Sequence, residues 1–433
     1  MIPTIIISLI TFIGITLSIL FFPHIRIKKI QIDTYWVIAL IGAIALVTFS
    51  FSPIKEIGDQ LTNEGSINPL KILALFFSMT FISIFLDEVG LFRYLAKVAT
   101  RRSKKNQFSL FFIMYSLVSI LTVFTSNDIV ILTLTPFICF FCKNAKINPL
   151  PYLIGEFAAA NTWSMMFIIG NPTNIYLATS AGIDFIGYLK VMFFPTVISG
   201  FVEMGVIFLL FFKQLKTPIT PIQDDFVIES VVDLDVGIAH LIICLVFLIL
   251  SSYINIPMWL ISLGCAVSLL LSIIVVRLIT RKHWNYLLDS FKRLPYQLIP
   301  FVLSMFVIVV GLNYQGISAK IGELLSKGNT IWLYGPVSYL ASNIINNIPM
   351  SILFSNLPNG LDQANYIRAI YSTIIGSNVG AFLTPIGALA GIMFSNLVNK
   401  HEIKLSFLNF IKYGAIISIP VLLTALLVLS TII

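Results

Sequence analysis

Long apolar runs alternate with short polar ones along nearly the whole chain. Runs of roughly 20 residues, the length a helix needs to cross a bilayer, begin near Ile2, Thr34, Leu70, Pro151, Gly187, Gly237, Pro257, Tyr296, Ala364 and Ser406. They predict ten transmembrane helices. Two further apolar stretches, about 107–142 and 330–358, are interrupted halfway by asparagine-rich tips. Each reads as two full crossings or as one re-entrant hairpin, and charge decides. With two hairpins, all but six of the 27 Lys and Arg fall on one face; the six are Lys55, Lys71, Lys190, Lys320, Lys327 and Arg368. Basic loops stay cytoplasmic, so both termini are expected outside a plasma (inner) membrane.

The polar punctuation occurs twice. Asn161 stands nine residues before Gly170, and Asn378 nine before Gly387. Upstream of each lies a polar pair, Asn127-Asp128 and Asn346-Asn347. A third pair matches Ser78, Met79, Leu86, Asp87 and Gly90 to Ser304, Met305, Leu312, Asn313 and Gly316, always 226 positions on. Five spans and one hairpin per half make an odd number of crossings. The second half then inserts upside down, and the hairpins enter from opposite faces to meet near the midplane. The expected fold is an all-α membrane protein: ten transmembrane helices plus two opposed re-entrant hairpins in two inverted-topology repeats. Repeat 1 covers 1–212, a cytoplasmic linker 213–236, and repeat 2 covers 237–433. The linker carries Pro218, Pro221, Asp224, Asp225, Glu229, Asp233 and Asp235.

Composition agrees. Hydrophobic residues make up 58% and charged residues 11%, with mean hydropathy +0.97, too apolar for a soluble chain of this length. The net charge of +8 sits beside apolar spans, which points to membrane orientation and away from nucleic acid. Cys139, Cys142, Cys244 and Cys265 all lie in apolar segments, so no disulfide framework is implied. The Cys139-Cys142 spacing shares a helix face, where ordinary packing outweighs a soft-metal site. Residues 2–22 lack a small-residue cleavage site and are followed by Arg26, Lys28 and Lys29, which suits a retained span. No phosphate-binding Gly-rich loop is present, so coupling is expected from an ion gradient, H⁺ or Na⁺, with no cofactor and no metal. Hydrolase signatures are absent too, and no enzyme activity is expected.

Four breaks interrupt the apolar segments: 125–128, 170–174, 342–349 and 384–388. Pro172, Pro349 and Pro385 remove backbone donors, while Gly170 and Gly387 permit sharp turns. Inside a bilayer such backbone is tolerated only where protein or a water-filled cavity satisfies it. Freed carbonyls and half-helix ends then offer oriented dipoles to an ion or polar solute. The candidate substrate- or ion-binding residues are Ser126, Asn127, Asp128, Asn161, Gly170, Asn171, Thr173, Asn174, Asn346, Asn347, Asn378, Thr384 and Gly387. Asp128 is the sharpest: an intramembrane acid is a functional hypothesis by default. It can carry a proton, hold a cation, or bond hairpin amides structurally. Glu156 is a second proton-coupling candidate. Glu203, mid-span, is either another titrating group or a scaffold partner.

Phe124 to Asp128 with Leu134-Thr135-Pro136, then Asn346 to Met350, then Gly376 to Gly380 leading to Thr384 through Ala390, resemble the arsenite efflux pump (ArsB) family. That family lies within the ion-transporter superfamily, alongside NhaD-type sodium/proton antiporters and divalent-anion/sodium symporters. The resemblance implies a scaffold, a moving transport unit built from hairpins and broken spans, and proton-coupled export of arsenite or antimonite. It leaves room for a homodimer and, in an arsenite pump, for a separate soluble ATPase subunit. Two departures stand out: Gly170 to Asn174 replaces Ser-Asn-Leu-x-Asn, and Asn378 stands where such pumps carry an Asp. The alternative within the superfamily is a sodium-coupled carboxylate or anion transporter, or a sodium/proton antiporter. An ionised Asp128 would repel a dianion, and neither tip offers Lys or Arg.

Overall fold

In the computed structural model the described residues are 1–22, 24–27, 30–62, 68–103, 106–219, 228, 230–280 and 285–433. Lys28, Lys29, Lys104, Lys105, Arg281 and Lys282, with Pro221, Asp224, Asp225 and Glu229 of the expected linker, lie outside them.

Ten α-helices are followed by ten more in the same order of long, short and broken elements. The first ten are α1 (Ile2–Phe21), α2 (Thr34–Thr48), α3 (Ile54–Thr62), α4 (Pro69–Glu88), α5 (Leu91–Arg102), α6 (Gln107–Phe124), α7 (Asn127–Ala145), α8 (Leu150–Trp163), α9 (Pro172–Ser180) and α10 (Phe185–Phe211). The second ten are α11 (Val231–Ile254), α12 (Met258–Thr280), α13 (Asn285–Arg293), α14 (Leu298–Tyr314), α15 (Ile317–Leu325), α16 (Thr330–Ile345), α17 (Asn347–Phe354), α18 (Gln363–Gly380), α19 (Leu389–Lys400) and α20 (Phe407–Ile432). Among the described residues nine helices are long and apolar enough to cross a membrane. That count includes both arms of the first hairpin and leaves out the two spans broken into α8–α9 and α18–α19, so length alone does not give the topology.

Packing is reciprocal between the halves. Helix α2 lies on α14 and α12 on α4, α1 packs on α2 as α11 packs on α12, and α10 lies along α20. The matched glycines Gly90 and Gly316 both adopt positive φ, 96° and 71°. Each turns the chain from an apolar span into a short amphipathic helix, α5 or α15, a conformation that favours glycine. Helices α16 and α18 approach closely because Gly376 and Gly380 carry no side chain; a Cβ there would fall 2.3 Å from the Gly335 carbonyl and 2.6 Å from the Tyr339 carbonyl. Small residues let membrane helices touch along their backbones in this way.

Side-chain contacts fix where the hairpins open. The Tyr152 hydroxyl, at the start of α8, donates to Gln107 Oε1 at the start of α6 (2.9 Å), and Gln107 Nε2 donates to the Thr217 carbonyl beyond α10 (2.7 Å). Asn148, between α7 and α8, donates to Gln214 Oε1 (2.7 Å). So α6 and α7 enter and leave on the face where α10 ends. On the other side, the Thr330 hydroxyl at the start of α16 donates to Asn365 at the start of α18 (3.3 Å), and Tyr371 of α18 donates to the Gly187 carbonyl at the start of α10 (3.1 Å). With 27 residues, α10 is ~40 Å long at 1.5 Å per residue, enough to cross a ~30 Å hydrocarbon core. The hairpins α6–α7 and α16–α17 therefore open on opposite faces.

Two details differ from the sequence reading. A short antiparallel β-hairpin, β1 (His24–Ile27) with β2 (Ile30–Asp33), connects α1 to α2. Helix α11 begins at Val231, inside the expected 213–236 linker, because Asp233 is buried in an ion pair with Arg277 of α12. An acid in a first helical turn is also favoured by the helix dipole.

In a background with the four cysteines changed to serine, Asn148→Cys and Asn359→Cys, both at exposed positions, should label with a membrane-impermeant maleimide from opposite sides of sealed vesicles. Labelling of both from one side would contradict the opposed hairpins.

Candidate functional site

The breaks converge halfway through the membrane. Asn161 lies eleven residues beyond Leu150 at the start of α8, a rise of ~16 Å, about half the hydrocarbon thickness. There it meets the first tip: Asn127 Nδ2 donates to Asn161 Oδ1 (3.2 Å), and Asn161 Nδ2 donates to the Phe157 carbonyl (2.7 Å). Ser126 is the extended residue that starts α7. Asn127 Oδ1 accepts the Asp128 backbone N–H (2.9 Å). The Asp128 carboxylate is half-buried, sits in the first turn of α7, and forms no side-chain hydrogen bond among the described residues.

The second tip is built differently. Asn346 has positive φ, 67°, and caps α17 by accepting from Ile348 N–H (3.4 Å). Its Nδ2 donates to the Ile386 carbonyl (3.0 Å), while the Asn347 backbone N–H donates to the Gly387 carbonyl (3.0 Å). A Cβ on Gly387 would stand 2.7 Å from the Gly380 carbonyl. Thr384 donates to Asn343 Oδ1 (2.7 Å), and Asn343 Nδ2 donates to the Tyr339 and Gly380 carbonyls (2.8 and 2.9 Å). The Asn347 side-chain amide, like the Asp128 carboxylate, has no hydrogen-bond partner among the described residues.

Between the tips the two broken spans are tied by amides. Asn378 Oδ1 accepts from Ser164 Oγ and Asn171 Nδ2, both at 3.0 Å. Asn378 Nδ2 donates to Asn174 Oδ1 (2.6 Å) and to the Ile374 carbonyl (2.8 Å). Asn171 also caps α9 by accepting from the Thr173 N–H and hydroxyl, both 3.1 Å. Asn174 Nδ2 donates to the Ser164 carbonyl (2.8 Å). Gly170 allows this turn, since a Cβ there would lie 2.3 Å from the same carbonyl. Both N–H groups of Asn378 are spent and its Oδ1 accepts from Asn171, with the Ser164 hydroxyl shared between it and the Asn161 carbonyl, so Asn378 keeps little capacity for a ligand.

The predicted residues thus form two clusters, one around Asn161 and Asn378 and one around Asn346 and Thr384. Asn161, Asn171, Asn174, Asn346 and Asn378, with Thr173 and Thr384, spend their groups on neighbouring side chains and backbone; the Asp128 carboxylate and the Asn347 side-chain amide have no hydrogen-bond partner among the described residues. Glu156 stands apart from both tips, buried on α8 and accepting from Thr135 of α7 (3.0 and 3.1 Å). Ser164 and Asn343 emerge as struts that the sequence did not single out. Serine in an apolar helix is a weak signal, and Asn343 was hidden inside a longer polar break.

The two mouths also differ. On the first hairpin's face, Thr133 of α7 donates to Asp87 Oδ2 (2.6 Å), and Arg293 Nη1 bonds Asp87 Oδ2 (2.7 Å) and Glu88 Oε1 (2.6 Å). This clasp joins the hairpin to α4 and α13. On the opposite face, Asn313, the counterpart of Asp87, lines an open basin of about 480 Å³ with Ser318, Glu323, Asn356 and Asn359. Asn313 Oδ1 and Ser318 Oγ are buried there without partners.

The model of the family described as citrate transporter matches residues 32–371. The chain belongs to that citrate transporter family. Among curated relatives, the arsenical pump membrane protein of Escherichia coli K12 is 26% identical over 378 residues, spanning 82% of this chain and 85% of the relative. The protein of the same name from Yersinia enterocolitica is 25% identical over 419 residues, spanning 91% and 92%. Among solved structures, the YdaH transporter of Alcanivorax borkumensis shares the fold, with TM-score 0.54, 12% identity and coverage of 99% and 98%. Members of the citrate transporter family and these relatives are membrane transporters, and this chain is a multi-pass membrane protein with their architecture.

The two classes of polar group respond differently to deletion. Asn378→Ala should lower unfolding stability in detergent by about 1–3 kcal/mol for each buried group it leaves unpaired. Asn347→Ala orphans nothing and should leave the unfolding midpoint near wild type while impairing transport. An unchanged midpoint for Asn378→Ala would show that the amide knot does not hold the broken spans.

Proposed function

We propose that this member of the citrate transporter family exports a small neutral solute, arsenite or antimonite as the trihydroxide, in exchange for protons. Asp128 is the proton-carrying group. Asn127, Asn347 and nearby backbone groups contact the solute, and Asn161, Asn346 and Asn378 hold those contacts in place. The observation that carries this reading is the make-up of the two tips. They present amides, backbone dipoles and one carboxylate without a partner, and no Lys or Arg is among the residues that form them. A neutral trihydroxide offers donors and acceptors that amides match, and it brings no charge to be desolvated. The relatives named arsenical pump membrane protein support the same solute.

Asp128 is favoured over Glu156 because it lies at the tip and half-open, whereas Glu156 is enclosed against Thr135. The basic excess on the face where α6–α7 opens supports a cytoplasmic assignment for that face, with both termini outside a plasma membrane. The repeats, 1–212 and 237–433, then each supply three spans to a static frame and a hairpin with two spans to a moving unit. The clasp of Thr133, Asp87, Glu88 and Arg293 on the cytoplasmic face would have to open during transport.

A second reading is sodium-coupled anion transport, which the family's description favours. The N-terminus of α17 also points at the site with no acid in its first turn, and such helix ends attract anions.

Expression in an arsenite-sensitive host decides between them. The chain should raise arsenite tolerance, and Asp128→Asn, close in shape, should abolish the gain. No gain with the wild-type protein confirmed in the membrane would remove arsenite as the solute; sodium-dependent uptake of citrate in the same cells would then favour the second reading.

A further inference from the structure

Glu203 lies in the middle of α10 and is completely buried. The groups around it are hydroxyls. Tyr115 of α6 approaches Glu203 Oε1 at 2.8 Å, and the Thr162 hydroxyl of α8 bonds Oε2. No lysine, arginine or histidine contacts it among the described residues. The titratable groups on neighbouring elements are engaged elsewhere. On α11, Asp233 pairs with Arg277, His240 bonds Ser268 of α12, and Asp235 is exposed. On α20, Lys412 is exposed, and Tyr413 lies toward the end of α10, where its ring meets Phe211 at 5.3 Å and 48°.

The phenol of Tyr115 has one proton and two acceptors within reach: the Gly200 carbonyl at 2.7 Å and Glu203 Oε1 at 2.8 Å. It also accepts from Trp163 Nε1 (3.2 Å). A phenolic oxygen gives one hydrogen and takes two. With an ionised carboxylate, one of the two short contacts is left without a hydrogen. With a carboxylic acid both are filled: Glu203 donates to Tyr115, Tyr115 donates to Gly200, and Trp163 donates to Tyr115. A protonated Glu203 therefore satisfies every contact, whereas an ionised one leaves Tyr115 to share a single hydrogen between two acceptors.

This relay adjoins the candidate site. Four consecutive residues at the end of α8 and its cap serve four partners: Asn161 holds Asn127 of the hairpin tip, Thr162 holds Glu203, Trp163 holds Tyr115, and the cap residue Ser164 holds Asn378. Trp163 packs directly over Gly200, where a Cβ would fall 2.6 Å from the indole ring. Releasing the Glu203 proton would draw the Tyr115 hydrogen from Gly200 to the carboxylate and shift the partner of Trp163, one residue from the strut Thr162 and two from Asn161. We propose that Glu203 is a second proton-binding group of the transport cycle, a positioning residue whose protonation sets how α8 presents Asn161 to the first hairpin tip. The proposal rests on the proton-coupled reading above for its role, but not for its protonation state.

Two measurements test it. Infrared spectra of the purified protein should contain a protonated-carboxyl band that Glu203→Gln removes and Tyr115→Phe shifts, with no solute needed. Loss of a carboxylate band instead would overturn the neutral acid. In reconstituted vesicles, Glu203→Gln should keep solute exchange at equal pH on both sides but alter the pH profile of net transport, leaving only the part that Asp128 sets. A wild-type pH profile would overturn its role in the cycle. Failure of the wild type to move arsenite would count against the solute assignment only, because the infrared result stands independently.

Discussion

Everything central in this protein depends on one constraint: helices broken inside a bilayer must have their freed backbone groups satisfied by the protein itself. The chain meets it with carboxamides. An asparagine gives and takes hydrogen bonds at once, so a few of them can cap a half-helix and bridge to the next break. Asn171 caps α9 and reaches Asn378; Asn346 caps α17 and reaches Ile386. Asn378 makes three contacts from α18 to Ser164, Asn171 and Asn174 and a fourth to Ile374 of its own helix. An aspartate there would still accept from Asn171 but could not donate to Asn174 Oδ1 or the Ile374 carbonyl, so Asn174 would need another donor. The amide knot lets two spans end at the midplane without leaving polar backbone in contact with lipid.

That constraint also explains how much could be read from sequence. The ten spans, the two hairpins and their opposed entry follow from apolar run length, from mid-run asparagines and from the distribution of Lys and Arg, because a membrane permits few arrangements. The matched Gly90 and Gly316 were visible as identities and proved to share a positive φ for the same turn. Which asparagines remain free was not legible. Asn346 and Asn347 are adjacent and alike in sequence, but the side chain of one bonds the Ile386 carbonyl and that of the other has no hydrogen-bond partner among the described residues. Glu156 and Glu203 looked alike as mid-span acids, and only the arrangement of hydroxyls around each separates them. The hairpin β1–β2 and the early start of α11 escaped because short polar connectors carry little periodicity.

The repeat supplies symmetry, and its exceptions supply chemistry. Asp128 has the neutral counterpart Asn347, and Asp87, clasped by Thr133 and Arg293, has the counterpart Asn313 in an open basin. One face is held by ion pairs, while on the other the counterpart residue lines an open basin. Most buried polar atoms are bonded; the Asp128 carboxylate and the Asn347 side-chain amide, one at each tip, have no hydrogen-bond partner among the described residues, and neither do Asn313 Oδ1 and Ser318 Oγ in the basin.

The central claim is that Asp128 moves protons against a neutral solute. Proteoliposomes loaded with a pH indicator and given an arsenite gradient test it most directly. The account predicts a sodium-independent pH change in the lumen, with protons moving opposite to arsenite, that disappears in Asp128→Asn. Arsenite flux without proton movement, or proton movement undiminished in Asp128→Asn, would contradict it.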